Sequence, residues 1–247
     1  MRQIKNQAAA LAALAALGVL ASCSNDDSPA RTEPSQTGGG STAATAADPG
    51  YTIVGEAELY GPGRWAMQAA GDPEALLAVI DVPAGYQGRE SFVWTHDELD
   101  LDDAGPGQLL YQAPTRVFAD PCDSDRPSQR LGPTVEDFAA ALAAQKRTTT
   151  TRPVPTELGG YRGLYVELTS SEGVDFEACG PDGMLIFEAG PGAERPLEVP
   201  ATDRYWILDV EGRRVVVSAM TPAGARSESV ERVTDVAEAV NFVKAAH

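Results

Sequence analysis

The run Arg204 to Met220 constrains this chain more than any other. Tyr205-Trp206-Ile207-Leu208-Asp209-Val210 and Arg213-Arg214-Val215-Val216-Val217-Ser218-Ala219-Met220 are two β-forming arms separated only by Glu211-Gly212. A two-residue turn with glycine between β-branched and aromatic arms predicts an antiparallel hairpin. Both arms are almost continuously apolar, so such a hairpin needs partners.

Those partners can be read along the chain. Tyr51-Thr52-Ile53-Val54 and Trp65-Ala66-Met67, broken by Gly61-Pro62-Gly63, predict weak strands. Ala75 to Val82 ends in β-branched residues and stops at Pro83-Ala84-Gly85, which predicts a strand and a turn. Ser91 to Thr95 is expected to be its hairpin partner. Gln108 to Ala119 reads as strand with a break at Pro114. Leu164, Val166 and Leu168 alternate with Tyr165, Glu167 and Thr169, and Met184 to Phe187 is a short apolar strand. Thr148 to Pro155 reads as a polar connector, and Gly190 to Pro200 as a loop.

Two helices punctuate these strands. Thr134 is placed to cap the first, with Glu136 and Asp137 at its positive end and Lys146-Arg147 at its negative end. Val135, Phe138, Ala139 and Leu142 form its apolar face. The second spans Ser229 to Ala245, with Val230, Val233, Val236, Ala237, Val240 and Val243 on one stripe. The order is strands, helix, strands, helix, without βα alternation. It predicts an α+β fold, a mostly antiparallel sheet packed by two helices.

This pattern begins at Tyr51, so residues 51–247 are expected to form a single α+β domain. Ser24 to Gly50 contains no aromatic residue and no Ile, Val, Leu or Met. Such a stretch cannot bury enough apolar surface to offset the entropy of ordering it. As a coil of 27 residues it predicts a tether of about 30 Å root-mean-square. Before it, a basic start (Arg2, Lys5) leads into a 14-residue apolar run, Ala8 to Ala21. A spanning helix needs roughly 20 residues, so the run predicts an export signal. It closes on Leu20-Ala21-Ser22-Cys23, which resembles the bacterial lipoprotein lipobox of aliphatic, small, small, Cys. That resemblance implies a signal peptide over 1–22, a diacylglyceryl group on the Cys23 thiol, and a tether over 23–50. Two acyl chains suffice for stable anchoring. The expected location is the outer face of a cell membrane.

The chain carries 19 Lys and Arg against 36 Asp and Glu, a net charge of -17. Removing residues 1–22 takes Arg2 and Lys5 and no acid, leaving 17 basic residues, 36 acids and a net of -19. That balance excludes nucleic acid as a partner and repels anionic lipid and polymer surfaces. It is explained by solubility or by a cationic ligand.

With Cys23 assigned to lipid, Cys122 and Cys179 remain, and outside the cytoplasm they are expected to pair. Two free thiols or a two-Cys metal site are the alternatives. No CxxC occurs, and neither histidine lies near a cysteine in sequence, so no zinc spacing exists. The most acidic patch is His96 to Asp103. As a calcium loop starting at Asp100 it keeps Asp102 and Gly105, but its fifth position is Ala104 and its twelfth Tyr111, so no metal is assigned. His247 is the last residue, which leaves His96 as the one histidine within the chain for general-base chemistry. No GxSxG, HExxH or phosphate-binding glycine loop occurs. No catalytic residue and no cofactor is therefore assigned. The alternative is an envelope hydrolase using carboxylates near His96, Asp100 among them.

Several segments together resemble a family of secreted or lipid-anchored actinobacterial proteins of unknown function. They are Val117-Phe118-Ala119-Asp120-Pro121-Cys122, Gly132-Pro133-Thr134-Val135-Glu136-Asp137, Gly159-Gly160-Tyr161-Arg162-Gly163, Tyr165-Val166-Glu167-Leu168-Thr169, Asp175-Phe176-Glu177-Ala178-Cys179 and Trp206-Ile207-Leu208-Asp209-Val210-Glu211-Gly212. The Gly-Gly-Tyr turn before a strand and the last helix on the sheet are also similar to the Mog1/PsbP α/β/α sandwich. That likeness implies an interaction or accessory module, with an envelope protein or small ligand as its partner.

Overall fold

In the computed structural model, residues 50–55, 58–95, 107–123 and 127–245 are described. In chain order the elements are β1 (Thr52–Ile53), β2 (Leu59–Tyr60), β3 (Gly63–Met67), β4 (Leu77–Val82), β5 (Tyr86–Arg89), β6 (Phe92–Thr95), β7 (Gln108–Gln112), β8 (Arg116–Val117) and β9 (Gln129–Arg130). Helix α1 (Val135–Ala143) follows, then β10 (Thr148–Thr150), β11 (Val154–Leu158), β12 (Tyr161–Ser170), β13 (Met184–Glu188), β14 (Glu194–Leu197), β15 (Ala201–Val210), β16 (Arg213–Pro222), α2 (Ser227–Glu238) and β17 (Asn241–Val243). The fold is α+β with mostly antiparallel sheets; among the described strand pairs, only β1 with β3 is parallel, apart from one isolated bridge.

The hairpin β15–β16 is the spine of the molecule, paired from Ala201↔Pro222 to Val210↔Arg213. Glu211 and Gly212 both take positive φ, 53° and 79°, the conformation of the primed two-residue turn that matches strand twist. The Asp209 carboxylate accepts from the Gly212 amide at 2.8 Å. Around the hairpin runs a nine-stranded sheet in the order β10-β12-β15-β16-β7-β6-β5-β2, with β11 also on β12. Two four-stranded sheets accompany it, β1-β3-β4-β17 and β14-β13-β8-β9.

Period-two alternation divides the core into two clusters on the two faces of the large sheet. Trp206, Leu208, Val215 and Val217 face one cluster, which takes in Met67 and Ile80 of the first small sheet and Val233, Val236 and Ala237 of α2. Tyr205, Ile207, Val216 and Met220 face the other, with Phe138 and Leu142 of α1 and Met184, Ile186 and Phe187 of β13. Phe138 stands edge-on to Phe187 at a centroid distance of 5.4 Å. The cap of α1 is a reciprocal box: the Thr134 hydroxyl accepts from the Asp137 amide at 3.1 Å, and the Asp137 carboxylate accepts from the Thr134 amide at 2.9 Å.

Several expectations are corrected. The second helix ends at Glu238 rather than Ala245. Asn241–Val243 instead pairs antiparallel with β4, and Phe242 packs on Tyr111 and Tyr161. The valine stripe continued in register, but an aromatic slot and a free sheet edge were a better use of its last turn. The first helix stops at Ala143, because Gln145 turns inward and donates to the carbonyls of Phe118 and Ile186, each at 2.8 Å. Strand β4 does not pair with β6. Tyr86–Arg89 is itself a strand, and it forms the hairpin with β6 across a turn where Glu90 has φ 53°. The polar stretch after α1 is strand rather than connector, since β10 and β11 both pair with β12. Likewise Glu194–Leu197, expected as loop, is β14, paired with β13. No described helix is long and apolar enough to cross a membrane.

Candidate functional site

The small sheet β14-β13-β8-β9 buries one face against α1 and the spine through Met184, Ile186, Phe187 and Leu197. Its other face is the floor of an open cleft of about 740 Å³. Strand registers align Glu194, Glu188, Arg116 and Arg130 in one row across four strands. Leu185 and Pro196 form the next pair, and Phe118 completes an apolar margin. A bulge lies between Leu185 and Phe187. It advances the strand by one residue, so that consecutive residues Ile186 and Phe187 both point inward while Leu185 and Glu188 line the cleft.

The centre of the row is locked by Ser128. Its hydroxyl donates to Glu188 Oε1 at 2.7 Å and accepts from Arg116 Nε at 2.7 Å. Arg116 also donates through Nη2 to the Ser128 carbonyl and lies 3.4 Å from Glu188 Oε2. These bonds commit the Arg116 charge to Glu188. Asp182 and Glu194, also on the cleft wall, form no ion pair with any described residue. Three carboxylates line the cleft against Arg116 and, at the end of the row, Arg130, which leaves an acidic balance. The arrangement suits a cationic group resting beside an apolar body.

One end of the cleft runs into a smaller hollow of about 240 Å³, which shares Phe118 and Pro127 with it. Asp120 lies there. Its partial burial opposes ionisation, but hydrogen bonds from Arg147 and from the Cys122 amide, with the charges of Arg147 and Lys146, hold its carboxyl below the ordinary 3.8. The Arg147 Nε donor is 2.9 Å away. Beside it the disulfide Cys122–Cys179 joins the segment after β8 to the 3₁₀ turn Glu177–Cys179 before β13. The bridge thus fastens both strands that floor the cleft.

Behind β14 is a buried ionic cluster. Arg195 is 2% exposed and Asp203 0%. Arg195 Nε donates to Asp203 Oδ2 at 2.8 Å, and the Tyr205 hydroxyl donates to the same oxygen at 2.7 Å. Burial pushes the Tyr205 hydroxyl far up, and the neighbouring carboxylate pushes it further. Burial works against the Arg195 charge, but Asp203 and Tyr205 more than restore it.

Of the residues singled out in the sequence, Cys122 and Cys179 are brought together, with Cα atoms 4.2 Å apart. Cys23, His96 and Asp100, the acidic stretch His96 to Asp103 and His247 lie outside the described residues. No group of three or more metal-ligating side chains occurs among the described residues. Sequence reasoning missed Arg116, Ser128, Glu188, Glu194 and the Arg195–Asp203 pair. Only Asp203 left a signal, because it shares the inward parity of Ala201, Tyr205 and Ile207 along β15. No protein-family model matches this chain, and no curated protein matches it.

Proposed function

We propose that the protein is a lipid-anchored envelope protein whose domain binds a cationic ligand or partner in the cleft over β8, β13 and β14. The anchor rests on the lipobox-like Leu20-Ala21-Ser22-Cys23 and on the apolar-free stretch that follows it. Membership of the lipid-anchored actinobacterial family rests on the segments quoted above. Core clusters on both faces of the large sheet, each including one helix, support a layered reading akin to the α/β/α sandwich.

The observation that carries the binding role is the cleft itself, in which acidic groups outnumber basic ones beside an apolar margin. Asp182 and Glu194 would hold the cation, Leu185, Phe118 and Pro196 the apolar part. Ser128 and Arg116 would fix Glu188, so that the wall does not rearrange on binding.

Two measurements test this reading. Membrane fractionation with intact-mass analysis of the native protein beside Cys23→Ala is expected to give a lipid-shifted mass in membranes that the variant loses. An unlipidated, released native protein would refute the anchor. Fluorescence titration with a dansylated Lys-Pro-Leu peptide is expected to saturate, and Asp182→Lys/Glu194→Lys to weaken it at least tenfold. Equal binding by the charge-reversed variant would refute the cleft.

A further inference from the structure

A second hollow adjoins β14. Between β14 and strands β6, β7 and β16 lies a groove of about 400 Å³, which shares only Glu194 and Pro196 with the cleft. Its walls are apolar, formed by Phe92, Leu110, Val199, Met220 and Pro222. Its floor is polar and is made by Gln108 and Arg195.

The floor carries one long hydrogen bond. Arg195 Nη1 donates to the Pro196 carbonyl at 3.1 Å, but reaches Gln108 Oε1 only at 3.4 Å. Arg195 Nη2 sits 2.8 Å from Asp203 Oδ2 in an ion pair but makes no hydrogen bond, and Asp203 Oδ1 has no partner. Two hydrogen-bond donors, Arg195 Nε and the Tyr205 hydroxyl, and the charge of Nη2 thus crowd one carboxylate oxygen while its twin takes none. Buried polar groups are normally satisfied by bonds of ordinary length, so the 3.4 Å contact between Arg195 Nη1 and Gln108 Oε1, at the base of an apolar groove, is where an incoming polar group can enter.

Charge selects the ligand. Asp203 neutralises Arg195, and the rim carries Glu194 and Glu198. A free carboxylate or phosphate would be repelled. An uncharged amide fits, since its carbonyl accepts from Arg195 Nη1 and its N–H donates to Gln108 Oε1. The long Arg195–Gln108 contact is then replaced by two ordinary bonds. We propose that this groove binds an extended peptide segment, with its backbone amide between Arg195 and Gln108, an apolar side chain against Phe92, Leu110 and Met220, and a neighbouring basic residue at Glu194 and Glu198. The groove meets the cleft at Glu194 and Pro196 but is otherwise lined by different residues, and the inference does not depend on the reading of the cleft.

The test uses the full chain, ¹⁵N-labelled, and two blocked dipeptides, Ac-Phe-Lys-NH₂ and Ac-Phe-Glu-NH₂, which share their amides and differ in charge. With the lysyl probe, saturable shifts are expected at the Gln108 side-chain amide and at Arg195 Nε–H, with a dissociation constant below about 10 mM. The glutamyl probe is expected to bind at least fivefold more weakly. Val199→Trp, at an exposed rim position, narrows the groove, and Gln108→Leu removes the acceptor. Both are expected to weaken binding about tenfold while the spectrum keeps its dispersion, as loss of one good contact predicts. The proposal is overturned by absence of saturable shifts, by equal binding of the two probes, or by unchanged binding to Gln108→Leu. It is also overturned by shifts confined to Arg116, Leu185 and Glu188, which would place the peptide in the cleft instead.

Discussion

Replacing Cys122 and Cys179 together by alanine opens a covalent loop of 57 residues in sequence separation. That loop holds α1, β10, β11 and β12, and therefore one wall of a core cluster. In the chain-entropy account the cross-link removes about 14 cal/mol/K from the unfolded state at this length, which is about 4 kcal/mol at 25 °C. The replaced Cys179 sulfur is buried, with 4% exposure, and its loss adds a packing cost of about 1 kcal/mol at most. The assay is equilibrium urea unfolding of the oxidised protein, the reduced protein and the double variant. The reduced protein and the variant are expected to lose similar stability. Both should unfold with a steeper denaturant dependence, because their unfolded chains are less compact. A loss under about 1 kcal/mol with an unchanged slope would refute the argument. It would mean that the unfolded chain is held together over this loop without the bond.

Further outcomes follow from the same geometry. Asp203→Leu leaves the Arg195 guanidinium buried and unpaired and should cost about 3–5 kcal/mol, whereas Asp203→Leu/Arg195→Met should recover most of it, read by urea midpoints. Gly163→Ala would put a Cβ 1.9 Å from the Ile207 carbonyl oxygen on the paired strand, while at Gly212, with φ 79°, a Cβ meets open space; the first should destabilise clearly more, the second by about 1 kcal/mol. The Asp137 carboxyl is held below the ordinary 3.8 chiefly by the Thr134 amide, then by its hydroxyl. A lowered carboxylate contributes stability above its unfolded pKa and loses it as pH falls through the folded one. The advantage of the native protein over Asp137→Asn should therefore be full near neutrality and shrink below about pH 4; a difference independent of pH would refute it. On the alkaline side, burial pushes the Tyr86 hydroxyl from 10.0 up to about 12, with Arg232 opposing and Asp235 adding to the shift. Its contribution is full below pH 10.0 and lost as pH rises to about 12, so Tyr86→Phe should flatten the alkaline limb of the unfolding curve.

The legible parts of this fold were those with local causes. The spine hairpin was legible because its turn chemistry and both arms lie in one continuous stretch, Ala201 to Pro222. The cap of α1 was legible because Thr134 and Asp137 bond each other three positions apart. The disulfide was legible because the expectation that Cys23 carries lipid left Cys122 and Cys179 as the pair, and these two are joined. Where a local pattern had two solutions, it misled. The valine stripe through Val243 suits a helix as well as a strand, and the free edge of β4 decided between them. Thr148–Thr150 has a weak strand pattern because it is short and held by backbone pairing with β12, and Glu194–Leu197 because it is an edge strand whose inward residues, Arg195 and Leu197, find their partners only on distant strands.

By itself, then, the sequence determined the α+β class, the acidic net charge and the assignment of the strongly periodic segments to strands and two helices, all of which follow from nearest-neighbour chemistry and burial of one face. The cleft, the groove and the ionic cluster were decided only by the tertiary structure. Ser128 meets Glu188 across 60 residues and Arg195 meets Gln108 across 87. Nothing in a stretch of chain records which distant strand will lie beside it, because strand pairing is fixed by the joint burial of two cores, and no single segment carries that information.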